Sequence, residues 1–257
     1  MSTARTFRAT HADRLALDLP TGRVRVFVDP AATAITVHLT TDDDHGPAAD
    51  AVNRARMSEG RNTVSIDVPH VDTGLALVGG RGNTVIQSFG TVTGNVTGMT
   101  IINGRIVTGG SVHHIGASPV TAIVLLPAAA LGIALKTVSA DLDATGHLGV
   151  VSVTSTSGDV HLDSVDILSA TTISGDVTAQ RTGTDAEIRT TSGDVHIAVH
   201  EGHTATVTTV SGDVRLTAGT RATGSVSVRT VSGDIGLTGA GRLDVTARTI
   251  SGRKNQR

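Results

Sequence analysis

"RTTSGDVHI", residues 189–197, decides the fold, because its Ser-Gly-Asp core recurs throughout the second half of the chain. The triplet begins at Ser157, Ser174, Ser192, Ser211 and Ser232, and Ser251-Gly252-Arg253 is a final echo. The intervals are 17, 18, 19, 21 and 19 residues. Ser139-Ala140-Asp141, 18 residues before Ser157, fits as an earlier and degenerate copy. A period near 20 marks stacked repeats, each a small unit that cannot bury its apolar face alone.

Aligned on the serine, the copies hold two apolar columns before it. Four residues earlier stand Val153, Ala170, Ile188, Val207, Val228 and Ala247, and six earlier stand Val151, Leu168, Ala186, Ala205, Val226 and Val245. The positions between are polar, as at Ser152 and Thr154, Glu187 and Arg189, Thr246 and Arg248. This is the period-two alternation of a strand with one buried face. After the motif the parity changes: Val160 and Leu162, Val195 and Ile197, Val214 and Leu216, Ile235 and Leu237 are apolar. A second strand has begun, and the chain has turned at Gly-Asp. Length varies mainly in the return segments, such as 198–205 and 217–225, while strand–corner–strand is constant. Stacked coils require that constancy, since only the paired parts must stay in register.

The predicted fold is therefore all-β: a β-solenoid, or β-helix-like stack of strand–corner–strand repeats, with an N-terminal antiparallel β cap. The structural corner comprises Ser157, Gly158 and Asp159; Ser174, Gly175 and Asp176; Ser192, Gly193 and Asp194; Ser211, Gly212 and Asp213; and Ser232, Gly233 and Asp234. The column Ser155, Thr172, Thr190, Thr209, Thr230 and Thr249 should point inward. Glycine takes positive φ without steric cost, so the five corner glycines are expected to share φ > 0. Ala140 fits only if its corner differs, or if glycine serves close packing instead. Carboxylates stacked at about 4.8 Å would repel by about 1 kcal/mol per pair even in water, which favours outward splaying or backbone capping. The aspartates are read as a corner, not as a site. Val195, Ile197 and Ile188 should be buried, with Arg189 and His196 exposed.

These Ser-Gly-Asp-Val repeats, preceded by Arg-Thr-Thr, Thr-Thr-Val and Arg-Thr-Val, resemble the bacterial putative-adhesin family of β-strand-repeat proteins. Residues 15–30, LALDLPTGRVRVFVDP, and residues 88–116 are similar to N-terminal and middle segments of its actinobacterial members. The resemblance covers most of the chain. It implies an all-β repeat fold with no established activity and no catalytic residues to carry over.

Composition narrows the function classes. Of 257 residues 39% are hydrophobic and 17% charged, enough for a core, and the net charge of −2 lacks the basic footprint of a nucleic-acid binder. Trp and Tyr are absent and only Phe7, Phe27 and Phe89 are aromatic, so the core must be aliphatic. Zero cysteine excludes disulfides and thiolate metal sites. No apolar signal region opens the sequence, and the longest apolar stretch, 120–135, is interrupted by Pro127 and Gly132. A soluble cytoplasmic protein is the expectation.

Residues 1–70 alternate as ordinary antiparallel strands at Leu15/Leu17/Leu19, Val24/Val26/Val28, Ile35/Val37/Leu39 and Val64/Ile66/Val68. Residues 46–56 form the one plausible helix. From about 75, Gly94, Gly98, Gly104 and Gly109 punctuate what reads as irregular coils leading into the regular ones. The division is 1–72 as a β segment and possible cap, then 73–257 as the solenoid, regular from about 133; one continuous domain is the alternative.

Four chemistries compete with a purely structural corner, and each is the weaker reading. Calcium-binding β-rolls need several glycines around each aspartate, twice per coil; here one Gly-Asp occurs per coil. His196, His200 and His203 could ligate zinc but lack an evident further ligand, and read as solvated strand-face histidines. Polysaccharide chemistry wants paired carboxylates and a cleft, yet the loops are short and aromatic platforms are missing. Flat Thr-x-Thr ladders for ice are broken by Glu187, Arg189, Arg229 and Arg248. Asp42-Asp43-Asp44 reads as a solvated turn. The chain is thus expected to be a non-enzymatic, adhesin-like scaffold or interaction module. It carries no catalytic, cofactor-binding or metal residues and no cofactor. Its partner is an unidentified protein, or itself through a side face, with neither nucleic acid nor membrane insertion. A polysaccharide-acting enzyme on a β-helix fold is the alternative. The basic end of 248–257 should oppose end-to-end stacking of identical chains.

Overall fold

The computed structural model describes residues 2–70 and 118–257, together with the backbone of five short strands between them. It is a β-solenoid of about seven turns, built on a joined system of 18 strands. Two hydrogen-bonded columns run along it. One passes from Arg56–Glu59 through Thr63–Asp67, Arg14–Asp18 and Gly132–Lys136 to residues 150–154, 167–171 and 185–189. It ends on Thr204–Thr208, Ser225–Arg229 and Asp244–Arg248. The other passes from Thr3–Ala9 through Ile35–Thr41, Thr121–Pro127 and Thr21–Asp29 to residues 139–145, 160–165 and 177–182. Val195–His200, Val214–Ala218, Ile235–Thr238 and Lys254–Gln256 complete it.

Stacking order and chain order part company at the N-terminal end. The coil made by Arg14–Asp18 and Thr21–Asp29 lies between Thr63–Asp67 with Thr121–Pro127 on one side and Gly132–Lys136 with residues 139–145 on the other, all in parallel. In the main system antiparallel pairing is confined to Thr3–Ala9 on Ile35–Thr41, Ile35–Thr41 on Thr121–Pro127, and Arg56–Glu59 on Thr63–Asp67. The predicted antiparallel pairing is corrected for the Leu15 and Val24 strands, which pair in parallel on both sides, while the Val64 strand pairs parallel with the Leu15 strand and antiparallel with Arg56–Glu59. Alternation reports which face is buried, not the direction of the neighbour. The predicted helix forms at Pro47–Arg54 and buries Ala48, Ala49, Ala51 and Val52 against Thr3–Ala9 and Ile35–Thr41.

The expected boundary near 72 and the glycines at 94, 98, 104 and 109 lie outside the described residues. The short strands described there, such as Thr100–Ile102 with Arg105–Val107 and Ser111–His113 with Ala76–Val78, pair antiparallel with one another. Among the described residues no helix is long and apolar enough to cross a membrane.

Every coil contributes to one core, aliphatic apart from Phe7. Val151, Leu168, Ala186, Ala205 and Val226 stack in register and are buried, as are Val153, Ala170, Ile188, Val207 and Val228. Val195 and Ile197 are buried while Arg189 and His196 are exposed, so the predicted register holds. The core ends where Lys254 and Gln256 replace the inward apolar pair over Ile235 and Leu237.

Candidate interaction surface at the repeated corner

The corner is a set of hydrogen-bond ladders. In each coil the Ser/Thr two residues before the motif is buried, from Ser155 and Thr172 to Thr230. Its hydroxyl accepts from the glycine three residues on: Gly158 N–H to Ser155 Oγ at 2.8 Å, Gly175 to Thr172 Oγ1 at 2.9 Å, Gly193 to Thr190 Oγ1 at 3.0 Å. In the next coil the pattern changes. Gly212 and Gly233 instead donate to the carbonyls of Ser232 and Ser251 in the next coil, at 3.2 and 3.1 Å, and Thr209 Oγ1 and Thr230 Oγ1 are buried without a partner.

The glycines do not adopt the positive φ predicted for them. Positive φ occurs at Gly22, Gly46, Gly132, Gly146, Gly224 and Gly239, none of them in a Ser-Gly-Asp triplet. The corner requirement is spatial. A Cβ on Gly175, Gly193, Gly212 or Gly233 would sit 2.0–2.2 Å from the carbonyl oxygen of the glycine one coil below. Ala140 holds the same place one coil above Gly22, with which it pairs, and its own carbonyl blocks a Cβ at Gly158.

Aspartate closes the corner by reaching one coil onward. Asp159, Asp176, Asp194 and Asp213 each use Oδ1 to accept the backbone N–H of the next aspartate, at 2.9, 2.8, 2.7 and 2.9 Å, and Asp234 accepts that of Arg253 at 2.7 Å. Repulsion between stacked carboxylates is thus opposed by a charge-assisted hydrogen bond at every level. Arg253 offers no carboxylate, and the ladder stops. Of the motif serines, Ser157 makes a side-chain bond, at 3.3 Å to the Val138 carbonyl.

The three histidines go to different places. His196 is exposed; His203 is exposed and bonds Thr223 Oγ1 through Nδ1 at 2.7 Å. His200 is buried, which corrects its reading as a solvated residue. Its Nδ1 meets Thr182 Oγ1 at 2.8 Å, its Nε2 has no partner, and burial pushes its pKa below the usual histidine value. The strand alternation shifts by one residue after Ile197, where the register to the next coil slips, and this turns His200 inward. Among the described residues no three His, Asp or Glu side chains converge as a metal site. Asp43, expected in a solvated turn, is an anchor: it accepts from Ser118 N–H and Oγ at 2.8 and 2.7 Å, bonds that hold its carboxyl below the usual range.

Two open grooves lie on the outer faces. One of about 400 Å³ is lined by His196, Arg215, Asp234, Arg253 and Asn255, and another of about 410 Å³ by Asp18, Asp67, Lys136 and Ser152. The corner carries a ridge that sequence reading passed over. The residue just before each motif serine is Val138, Thr156, Ile173, Thr191, Val210, Val231 and Ile250, exposed in every coil, with the five aliphatic members 44–82% exposed. The signal was present, a β-branched residue at one fixed offset.

Comparison with solved structures finds the same architecture over the whole length. A putative adhesin from Bacteroides fragilis matches with a TM-score of 0.56 at 12% identity, covering 99% of this chain and 97% of that one. A putative lipid binding protein from Parabacteroides distasonis matches with a TM-score of 0.55 at 12% identity, covering 100% and 97%. A putative adhesin from the same species gives 0.52 at 11%, covering 99% and 97%. Identities this low establish the fold alone. No curated protein matches the chain. The family is set by the sequence itself, whose residues 17–256 match one model from the first parallel coil to the last: the chain belongs to the Toastrack DUF4097 family.

Proposed function

We propose that this chain is a non-enzymatic scaffold or interaction module that engages a protein partner along the outside of the solenoid rather than in a pocket. One observation carries the reading: the corner aspartates, the most regular set of ionisable groups, each commit one carboxylate oxygen, Oδ1, to the backbone N–H of the next coil. General acid–base chemistry needs carboxylates free to meet a substrate. The adhesin-like neighbours are consistent with the same class.

The test pairs two measurements on the purified chain. Immobilised chain should retain a defined protein from the native host, and charge reversal at Arg215, on an outer face, should reduce retention without changing the melting temperature. Hydrolysis of any member of a polysaccharide panel, abolished by substituting a surface carboxylate pair, would replace this reading with the enzymatic alternative.

A further inference from the structure

The exposed corner ridge is self-complementary, and we propose that it is the contact surface for a second copy of this chain, the two solenoids lying side by side with parallel axes. The inference goes beyond the scaffold reading and does not depend on it.

The ridge is unusual in composition and order. All seven members, Val138, Thr156, Ile173, Thr191, Val210, Val231 and Ile250, are β-branched, so their side chains are nearly frozen at χ1 before any partner arrives. Each backbone carbonyl from Val138 to Val231 accepts the N–H of the motif serine one coil above, at 2.7–2.8 Å, so the ridge cannot change its spacing. With coils about 4.8 Å apart, it extends about 29 Å. A second ridge with the same repeat matches it in register by construction.

The flanks select the orientation. On one side, three residues before each serine, stand Lys136, Thr154, Thr171, Arg189, Thr208, Arg229 and Arg248, all exposed. On the other side runs the aspartate column from Asp141 to Asp234. Arg229, Arg248, Asp159, Asp176, Asp194 and Asp234 take part in no ion pair among the described residues. Rotating a copy by 180° about an axis parallel to the stack brings its basic column over the other copy's acidic column, on both sides of the ridge. Arg229 then faces Asp234 and Arg189 faces Asp194. Rotation about an axis across the ridge would place like over like instead. The top coil departs from the pattern, because Arg248 there meets Arg253. A contact this narrow buries at most about 1,000 Å² in total, which is the size of a weak, reversible dimer.

The native chain has no cysteine, which makes the geometry directly readable. A two-fold axis along the ridge sets each ridge residue against itself, so V210C and V231C should each form disulfide-linked dimers under mild oxidation, within the ~4.4–6.8 Å Cα separation a disulfide spans. Sedimentation of the wild-type chain should show a monomer–dimer equilibrium by about 100 μM, the range of weak association. R229D should weaken that association several-fold, up to about tenfold, and D234R likewise. An equimolar mixture of the two charge variants should recover it, since the opposed pairs are restored. D234R also removes the acceptor for Arg253 N–H, so V210C and V231C provide the reading if that variant is unstable. A wild-type monomer at about 100 μM overturns the proposal. So does crosslinking of V231C only when mixed with T156C, the pairing of an antiparallel ridge centred on Thr191. Resistance of the V231C thiol to alkylation in a monomer would also overturn it, by giving the ridge to residues 71–117 of the same chain.

Discussion

The lower and upper coils of the regular stack solve the same problem differently. From Ser139 to Arg189 each coil is one long strand, Ser139–Thr154, Val160–Thr171 and Val177–Arg189, which bends through the return side with register shifts at Ala144/His147 and Val165/Ile167. Above it the coils break into separate strands joined by loops at 201–203, 219–224 and 239–243. The corner changes at the same level. Below, the buried hydroxyl caps the glycine N–H; above, the glycine reaches the next coil and isolated bridges link Ser211, Ser232 and Ser251. One motif therefore supports two hydrogen-bond arrangements, and what both keep is the glycine column and the aspartate ladder.

The largest effect should come from what the two halves share. Gly193→Ala drives a Cβ to 2.0 Å from the Gly175 carbonyl oxygen, and neither backbone can yield without opening two coils. A loss above about 3 kcal/mol is expected by chemical denaturation, as for a severe core overpacking. Gly241→Ala, where a Cβ meets nothing within 4 Å, should be neutral or stabilise by up to about 1 kcal/mol. Equal tolerance at the two positions would remove close packing as the reason for the corner glycine.

Threonine separates the halves. Thr172→Val leaves the buried Gly175 N–H without its acceptor and should cost about 1–3 kcal/mol. Thr230→Val removes a hydroxyl that already lacks a partner, so a change within about 0.5 kcal/mol, or a small gain, is expected. Equal losses at Thr172 and Thr230 would break the distinction between the two corner types.

Aspartate should not separate them. Asp159→Ala and Asp213→Ala each withdraw one ladder acceptor at a solvent-accessible corner, where water can replace it, so about 0.5–1.5 kcal/mol is expected in both halves. A clear difference between the two would show that the ladder, too, changes at the midpoint.

The smallest effect belongs to His200, which sits at the junction and links Thr182 of the last continuous coil to the first broken one. Burial is the main cause of its lowered pKa; Asp185 opposes that shift and His203 adds to it. The unfolded chain therefore binds the proton more readily than the folded one. Its contribution is complete above about pH 6.5, the ordinary histidine value, and is lost as pH falls below that toward the depressed folded value. The melting temperature should drop on acidification through this range, and a T182V/H200L double variant should drop less. An unchanged profile would mean that His200 is not the titrating group.

How much was legible depended on whether a residue repeats. The inward columns, the buried Thr column and exposed Arg189 and His196 follow from alternation, which depends only on strand geometry. His200 was misread because it follows a register slip, and one slipped residue exchanges the two faces of a strand. The corner glycines were assigned the wrong reason because two demands, positive φ and absence of a Cβ, select the same residue. Ala140, which satisfies neither demand as glycine would, was the clue that divided them. The ridge repeats as faithfully as the core, but β-branched residues beside a turn carry no mark of exposure until the corner is built.

By itself, the sequence determined a stack of strand–corner–strand coils with an aliphatic interior, because period and parity are properties of the chain. Only the tertiary structure decided that Arg14–Asp29 enters the stack between strands that follow it by tens of residues. The same holds for the partners of each corner N–H and for the alignment of seven β-branched residues into one ridge. Those facts depend on which coil lies above which, and stacking order is set by which coils bury their faces against one another.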